Sequence, residues 1–337
     1  MNNSNEIDRI KGSIPNDSQS TTKEKAISFD IKDILRRYGL LLSFFVLSLG
    51  ISLVTQNFLS ATNLLNILRQ SAIVGIMAIG TTFVIIGGGF DISVGSTLAL
   101  SAALALGLQG SMHWALAALI AILVGLLIGF INGFLAAKIH IVPMIATLGT
   151  STIIRGLVYL YTGGYPINGQ QIEFEIIGSG YLWGIPIPVI IMVLLASLFQ
   201  FILSKTQLGR YCCAVGGNKE ASKLAGVAVD YYHIMTFVIG GLMAAISGVV
   251  YASRLSSATP LAGQNYDMDA IAAVVIGGTS VSGGEGTVLG SIIGVLLLTV
   301  ITNAFNLLGV PVFIQYVIKG LIILVVVGID SYTSKRE

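Results

Sequence analysis

The sequence predicts an all-α polytopic membrane protein with about ten transmembrane helices, some of them broken or re-entrant. Of its 337 residues, 54% are hydrophobic and only 10% are charged, whereas about 25% of the residues of a soluble protein are charged. A membrane crossing needs about 20 apolar residues, and segments of that kind recur along nearly the whole chain. Most of the protein surface is therefore expected to face lipid.

Ten apolar segments are candidates for the crossing helices. In chain order they cover about residues 38–57, 67–87, 93–109, 114–137, 143–162, 185–204, 232–252, 269–282, 288–308 and 311–329. The third and the eighth are short and rich in Gly and Ser. Irregular backbone at membrane depth is tolerated only where it is buried in protein or lines a cavity. These two segments are therefore the ones expected to be broken or re-entrant.

The distribution of basic residues predicts the orientation. Seven of the 18 Lys and Arg residues lie in residues 1–37, four lie in residues 205–231, and two end the chain. Basic residues concentrate on the cytoplasmic side of a membrane protein. Both termini and the 205–231 loop are therefore predicted to be cytoplasmic, and a count of eight crossings leaves this orientation unchanged.

The chain is expected to have one membrane domain and one tail. Residues 1–35 are rich in Asn, Ser, Thr and Lys, and they lack the apolar core of a signal peptide. This stretch has little to bury, so it is predicted to be a disordered cytoplasmic tail. Residues 36–332 are predicted to form a single transmembrane domain, in which residues 205–231 make one cytoplasmic loop.

Two glycine clusters are predicted to break helices, because glycine adopts positive φ at little cost. The predicted breaks are Gly87, Gly88 and Gly89 in the first cluster, and Gly277, Gly278, Gly283 and Gly284 in the second. Ser93 is expected to cap the helix after the first break, with Asp91 near the positive end of that helix. From the pattern alone, a simple tight turn between two spans remains the alternative.

The polar groups around these breaks are candidates for a path through the membrane. They are Asp91, Ser93, Ser96, Thr279 and Ser280, with Tyr266 near the outer mouth. The alternative is that the small residues serve close helix packing and that the hydroxyls bond back to their own helices. The two breaks also resemble each other in sequence, Val84 to Gly88 and Val274 to Gly278, by either internal duplication or chance.

Intramembrane charges are functional candidates by default. Arg69, Arg155 and Lys319 qualify, either as structural anchors paired with Asp267 or Asp269 or as contacts of a solute. We expect no Asp or Glu in the middle of a span. Adjacent Cys212 and Cys213 are expected to be free thiols, and the three scattered His residues predict no metal site.

The polar loop contains a short charged helix that ends at a glycine. Glu220 lies near the start of this helix, where a carboxylate suits the helix dipole. Ala221 and Ser222 are small enough to permit close approach to a partner, and Gly226 would end the helix. An ordinary solvated loop is the alternative. The chain has no G-x4-G-K-[ST] phosphate-binding pattern, so we expect any energy input to come from a partner protein or from a gradient.

These motifs resemble those of a known family. Glu220-Ala221-Ser222 followed by Gly226 resembles the coupling loop of ABC importer permeases. The strings Gly89-Phe90-Asp91-Ile92-Ser93-Val94-Gly95-Ser96 and Asp269-Ala270-Ile271-Ala272-Ala273-Val274-Val275-Ile276-Gly277-Gly278-Thr279-Ser280 resemble signatures of ribose-type sugar permeases. The resemblance runs from about Asn57 to Val327, with Met268 where the family has Leu.

The resemblance implies a permease subunit of a monosaccharide importer in a bacterial cytoplasmic membrane, with ribose as the first candidate substrate. It implies a homodimer, a cytoplasmic ATPase that binds ATP and Mg, and an extracytoplasmic sugar-binding protein. This chain itself would bind no cofactor, metal or nucleic acid and would be surrounded by lipid. The residues implied to couple to the ATPase are Arg210, Gly217, Asn218, Glu220, Ala221, Ser222 and Gly226.

Three alternatives remain open at this stage. The importer could carry another sugar, such as xylose, a galactoside, allose or a furanosyl signal molecule. The chain could be an ion-coupled secondary transporter, although proton coupling usually needs a carboxylate or His relay within the membrane. An intramembrane enzyme is disfavoured, because the sequence offers no paired carboxylates, no H-E-x-x-H motif and no nucleophile dyad.

Overall fold

A computed structural model describes residues 42, 44–46, 48–55 and 57–334, and the predicted tail, residues 1–35, lies outside this set. The described chain is a bundle of helices. They are α1 (Phe44–Val54), α2 (Ala61–Ile86), α3 (Val94–Gly107), α4 (Trp114–Ala137), α5 (Pro143–Thr162), α6 (Ile176–Ser179), α7 (Ile187–Lys205), α8 (Gln207–Gly217), α9 (Lys219–Leu224), α10 (Val229–Leu255), α11 (Tyr266–Ile276), α12 (Val288–Leu307) and α13 (Val312–Ser334).

Six helices of the described chain are long and apolar enough to cross a membrane, namely α2, α4, α5, α7, α10 and α12. Shorter apolar helices begin at Phe44, Val94 and Val312, and α11 has 11 residues. The prediction of a mostly helical, polytopic membrane protein is confirmed. Each of the ten predicted segments overlaps one of these helices, while the number of crossings stays a prediction.

The core of the bundle is built around α2, α3 and α10. Apolar side chains of α3, such as Leu98 and Leu106, are fully buried. By contrast, α4 and α7 carry rows of exposed apolar side chains, including Leu123, Leu127 and Leu194. This distribution suits a bundle with its buried helices inside and its apolar outer helices against lipid.

Close packing between α4 and α10 depends on a glycine stripe. Gly125, Gly129 and Gly133 are buried along one face of α4. A Cβ at Gly129 would collide with the carbonyl oxygen of Phe237 on α10. Small residues at such spacing let two membrane helices approach until their backbones touch. This contact fixes α4 against the central helix.

The two ends of the bundle differ. One end, called here the polar-loop end, holds residues 206–228. The opposite end holds two short antiparallel strand pairs, in which Ile167 pairs with Ala258 and Tyr181 pairs with Pro186. These strands are β1 (Ile167–Asn168), β2 (Tyr181–Leu182), β3 (Ile185–Pro186) and β4 (Ser257–Ala258).

Candidate functional site

The first glycine cluster ends α2 as a hydrogen-bonded turn at the polar-loop end. The N–H groups of Gly87, Gly88 and Gly89 donate to the carbonyls of Phe83, Ile85 and Val84, respectively. Gly88 has a φ of 76°, in the left-handed region that favours glycine. The chain then returns into the bundle, where α3 begins at Val94.

The second break repeats this pattern at the end of α11. The N–H groups of Gly277, Gly278 and Thr279 donate to the carbonyls of Ala273, Val275 and Val274. Gly278 has a φ of 86°. The three bonds have the same spacing as those of the first break, so the sequence similarity between the two breaks corresponds to the same helix-ending geometry.

The two breaks meet α8 at one place. The N–H of Gly284 donates a 2.8 Å hydrogen bond to the carbonyl oxygen of Ile86. Gly216 of α8 packs on the same carbonyl so closely that an added Cβ would collide with it. An added Cβ at Gly283 would lie 2.8 Å from the Gly216 oxygen and 3.2 Å from the Gly88 Cα. We call Ile86, Gly88, Gly216, Gly283 and Gly284 the glycine junction.

A buried histidine also holds the first break. His233, in the first turns of α10, is 2% exposed, and its Nδ1 lies 3.0 Å from the carbonyl oxygen of Gly87. Because a carbonyl only accepts, Nδ1 must carry the proton. His233 therefore ties the end of α2 to the central helix α10.

Asp91 lies deep in the bundle. It is 2% exposed, and an added Cβ at Gly240, midway along α10, would lie 3.8 Å from its Oδ2. The expectation that Asp91 lies in a loop rather than within a span is confirmed, because it falls between α2 and α3, but this loop is buried inside the bundle. The reason is that the chain re-enters the bundle after the first break and starts α3 inside it, which the local pattern does not reveal.

Asp91 organises a small buried polar cluster. Its Oδ1 accepts hydrogen bonds of 2.8 Å from the Ser93 N–H and 2.6 Å from the Ser93 Oγ. Asn132 of α4 donates from Nδ2 to the Ser93 Oγ at 2.8 Å. Ser93 occupies the N-cap position of α3 without a side-chain capping bond. The prediction that Ser93 caps this helix is therefore wrong, because its hydroxyl is engaged by Asp91 and Asn132.

Ser96 and α5 extend this cluster. The Ser96 Oγ lies 3.2 Å from the Ser151 Oγ. Thr147 donates to the Phe90 carbonyl at 3.2 Å and accepts from the Ile92 N–H at 3.2 Å. Sequence reasoning missed Asn132, Thr147 and Ser151. A lone amide such as Asn132 within an apolar span was the signal that could have found one of them.

The remaining candidate path residues lie outside the hydrogen bonds of this cluster. Tyr266 starts α11, with its ring 6.3 Å from that of Tyr251, and the next residue, Asp267, lies beside Gly95 of α3. Thr279 and Ser280 follow the other end of α11; Thr279 is 1% exposed and its Oγ1 has no hydrogen-bond partner. The six candidate residues thus form no single cluster, and their role in a path stays a prediction.

Basic residues within the bundle anchor its opposite half. Arg155 of α5 donates from Nη1 to the carbonyls of Pro260 at 2.7 Å and Ala262 at 2.9 Å. Lys319 of α13 forms an ion pair with Asp269 at 2.9 Å. The predicted pairing of a basic residue with Asp267 or Asp269 is confirmed for Lys319.

The polar loop folds into two short helices joined at Asn218. The Asn218 Oδ1 caps α9 by accepting from the Ala221 N–H at 2.9 Å. Glu220 lies in the first turn of α9 and is exposed. Gly226 follows the helix with a φ of 79°, which fits its predicted role as the terminating residue.

Most of the residues implied to couple to an ATPase are accessible. The exposed members are Arg210, Gly217, Asn218, Glu220, Ala221 and Gly226. Ser222 is 6% exposed, so the expectation that it offers close approach to a partner is wrong: it packs inward. Arg210 lies on α8 and donates to the Lys205 carbonyl at 3.3 Å.

The two cysteines are free, as the sequence predicted. Burial raises the pKa of the Cys212 thiol to about 12 and also raises the pKa of Cys213. A raised thiol pKa keeps the group protonated and unreactive near neutral pH. Among the described residues, no group of three or more His, Cys, Asp and Glu residues could hold a metal ion.

Comparison with known proteins identifies the class to which this architecture belongs. The family described as "Branched-chain amino acid transport system / permease component" matches residues 63–327. The chain is 46% identical over 319 residues to the ribose import permease protein RbsC of Bacillus subtilis, covering 94% of this chain and 98% of that relative. The chain belongs to the family of ribose-type import permeases. The permease is thus a transport component and a multi-pass protein of the bacterial inner membrane.

Two further relatives of the permease are named for different sugars, ribose and L-arabinose. The ribose import permease protein of Haemophilus influenzae is 40% identical, covering 94% of this chain and 99% of the relative. The L-arabinose transport system permease protein AraH of Escherichia coli is 37% identical, covering 92% and 95%. No solved structure matches the chain.

Proposed function

We propose that this permease is the membrane-spanning subunit of an ATP-driven ABC importer that carries D-ribose into the cytoplasm. The observation that carries the proposal is 46% identity, over nearly the full length of both chains, to a protein named as a ribose import permease. The permease has the parts such a subunit needs: a membrane bundle with two helix breaks, and a polar loop that contacts both breaks through Gly216.

The proposed topology has ten crossings, with both termini and the polar-loop end in the cytoplasm. The concentration of Lys and Arg in residues 1–37 and 205–231 supports this orientation. In this topology α3 and α11 are the two half-length segments, and their irregular flanks are shielded from lipid by the surrounding helices. The permease domain then covers residues 36–332.

The proposed assembly contains two copies of the permease, a cytoplasmic ATPase and an extracytoplasmic sugar-binding protein. ATP and Mg are bound by the ATPase, and no cofactor is bound by the permease. The exposed helix α9, with Glu220 in its first turn, is the proposed contact with the ATPase. This assignment agrees with the resemblance of residues 220–226 to an ABC coupling loop.

The glycine junction provides a route by which movement of the ATPase can be transmitted to the membrane bundle. Closure of the ATPase would push on α9 and α8, and α8 contacts the end of α2 and the loop after α11 through Gly216. A push on α8 would therefore move both breaks together, and opening towards the binding protein would follow. Sugar binding needs hydroxyl and amide groups rather than charges, and the cluster of Ser93, Ser96 and Asn132 has that chemistry.

Uptake in a deletion strain tests the function. The gene is deleted, and uptake of labelled ribose at low micromolar concentration is measured with and without the intact chain. Loss of high-affinity uptake and its rescue are expected. Undiminished uptake, in a strain with no other ribose system, would contradict ribose and direct the same assay to L-arabinose, the sugar named for a 37% identical relative.

Buried Asp91 supports a second candidate, an ion-coupled transporter, because a mid-bundle carboxylate is a usual element of proton coupling. The two mechanisms differ in their energy source. Uptake that survives a protonophore but stops when ATP is depleted supports the ABC importer. The reverse pattern would establish ion coupling and contradict the ATP-driven mechanism.

A further inference from the structure

A groove on the polar-loop end is formed by three separate segments. Its volume is about 820 Å³, and it is lined by residues 136–138 and 140–143, by α9 and by the start of α10. One wall is the turn between α4 and α5, residues 138–142, called here the α4–α5 turn. The other wall carries Lys219, Glu220 and Lys223 of α9.

The α4–α5 turn is held in a defined shape. The N–H groups of Ile139 and Ile141 donate back to the carbonyls of Phe134 and Leu135 in the last turns of α4. Lys138 forms a 2.6 Å ion pair with Asp230 at the start of α10. The turn is therefore attached to the segment that follows α9, and the two walls of the groove are joined.

Both walls present apolar side chains to the outside. Leu224, at the end of α9, is 90% exposed, while Ile139 is 54% and Val142 is 58% exposed. Exposed apolar side chains next to a concave groove are typical of an interaction site. Leu224 belongs to the helix proposed above as the ATPase contact, so a partner on α9 would lie beside the turn.

The charged side chains that line the groove indicate which kind of partner segment it can bind. Lys138 and Asp230 neutralise each other, which leaves Lys219, Lys223 and Glu220 among the formally charged side chains that line the groove. The groove is thus basic on balance and complements an acidic segment with apolar side chains.

We propose that the α4–α5 turn is a second docking element for the ATPase, so that an acidic, partly apolar segment of the ATPase lies in the groove between this turn and α9. The inference rests on the proposed function, because it takes an ATPase as the partner. It adds the α4–α5 turn to the interface and assigns the partner segment its charge.

Photo-crosslinking in membranes of cells that express the whole transporter tests the proposal. A photoreactive phenylalanine analogue is placed at Ile139, at Leu224, or at Leu127, which is exposed on the apolar outer face of α4. Adducts are identified by mass spectrometry. The ATPase, recognised by its phosphate-binding-loop peptides, is expected at Ile139 and Leu224, and only lipid is expected at Leu127.

The outcomes separate the two proposals. An ATPase adduct at Leu224, with only lipid adducts at Ile139, overturns the second docking element and leaves the proposed function standing. No ATPase adduct at either position contradicts the proposed function as well. An adduct at Leu127 equal to that at Ile139 also overturns the docking element, because it shows that reaction with the ATPase does not depend on the groove.

A matched pair of variants tests the charge argument. His140 has a φ of 62°, so His140→Glu and His140→Lys bear the same backbone strain and differ in charge sign. The ATPase recovered with the purified permease should be lower by about fivefold or more for His140→Glu than for His140→Lys, because like charges across an interface repel. Equal recovery contradicts an acidic partner segment.

Discussion

The N–H of Gly284 donates a 2.8 Å hydrogen bond to the carbonyl oxygen of Ile86. This bond joins the loop after the second helix break to the last residue of the helix before the first break. Gly216 of α8 packs on the same carbonyl. The polar loop and both breaks are therefore in direct backbone contact, so we expect movement of the polar loop to displace both breaks.

Gly216→Ala is expected to uncouple the transporter. An added Cβ at Gly216 would collide with the Ile86 carbonyl oxygen and lie 2.9 Å from the Gly284 N. Forced separation of the junction should lower sugar uptake by about tenfold or more, since hinge substitutions impair turnover. Gly156→Ala on α5 is the matched control, because nothing lies within 4 Å of its added Cβ. Equal uptake by both variants would contradict a coupling role for the junction.

Ser93→Ala is expected to destabilise the buried polar cluster. The change removes the 2.6 Å hydrogen bond to Asp91 and the acceptor of Asn132. Loss of a buried partner costs about 1–3 kcal/mol, so the melting temperature of the purified permease should fall. Ser111→Ala, at an exposed serine, controls for the substitution itself. A melting temperature unchanged in both would show that the cluster contributes no stability.

Gly129→Ala tests the contact between α4 and α10. The new methyl group would collide with the Phe237 carbonyl, and overpacking of this kind costs about 1–3 kcal/mol. Gly149→Ala on α5 has nothing within 4 Å of its Cβ and should stabilise its helix by about 0.5–1 kcal/mol. Thermal unfolding in detergent measures both. Opposite shifts are expected, and destabilisation of similar size at both positions would contradict the assignment of the packed face.

Glu220→Arg is expected to abolish binding of the ATPase without disturbing the bundle. Glu220 is exposed in the first turn of α9, and a cation is unfavourable at a helix N-terminus, so the substitution should loosen α9 itself even though it adds positive charge to the groove. Recovery of the ATPase with the purified permease should fall by about tenfold. Glu173→Arg makes the same charge change at an exposed position of the opposite end and should leave recovery unchanged. Normal recovery with Glu220→Arg would remove α9 from the interface.

Several elements of this protein could be predicted from the local sequence pattern alone. The apolar segments, the glycine breaks after Ile86 and Ile276 and the short helix before Gly226 were all predictable, because apolar length, positive φ and capping are properties of neighbouring residues. The anchoring ion pair of Lys319 was also predictable, since an isolated charge in a span needs a partner.

Other features depended on contacts between segments that are far apart in the chain. The depth of Asp91 follows from the return of the chain into the bundle, and the inward position of Ser222 follows from the packing of α9 against the helices around it. Neither leaves a local signal. The class of protein, its apolar segments and the sites where helices end follow from residues that are close together in the chain. The meeting of Ile86, Gly216 and Gly284 has no such local cause, because close backbone contact depends on how separate helices are placed side by side.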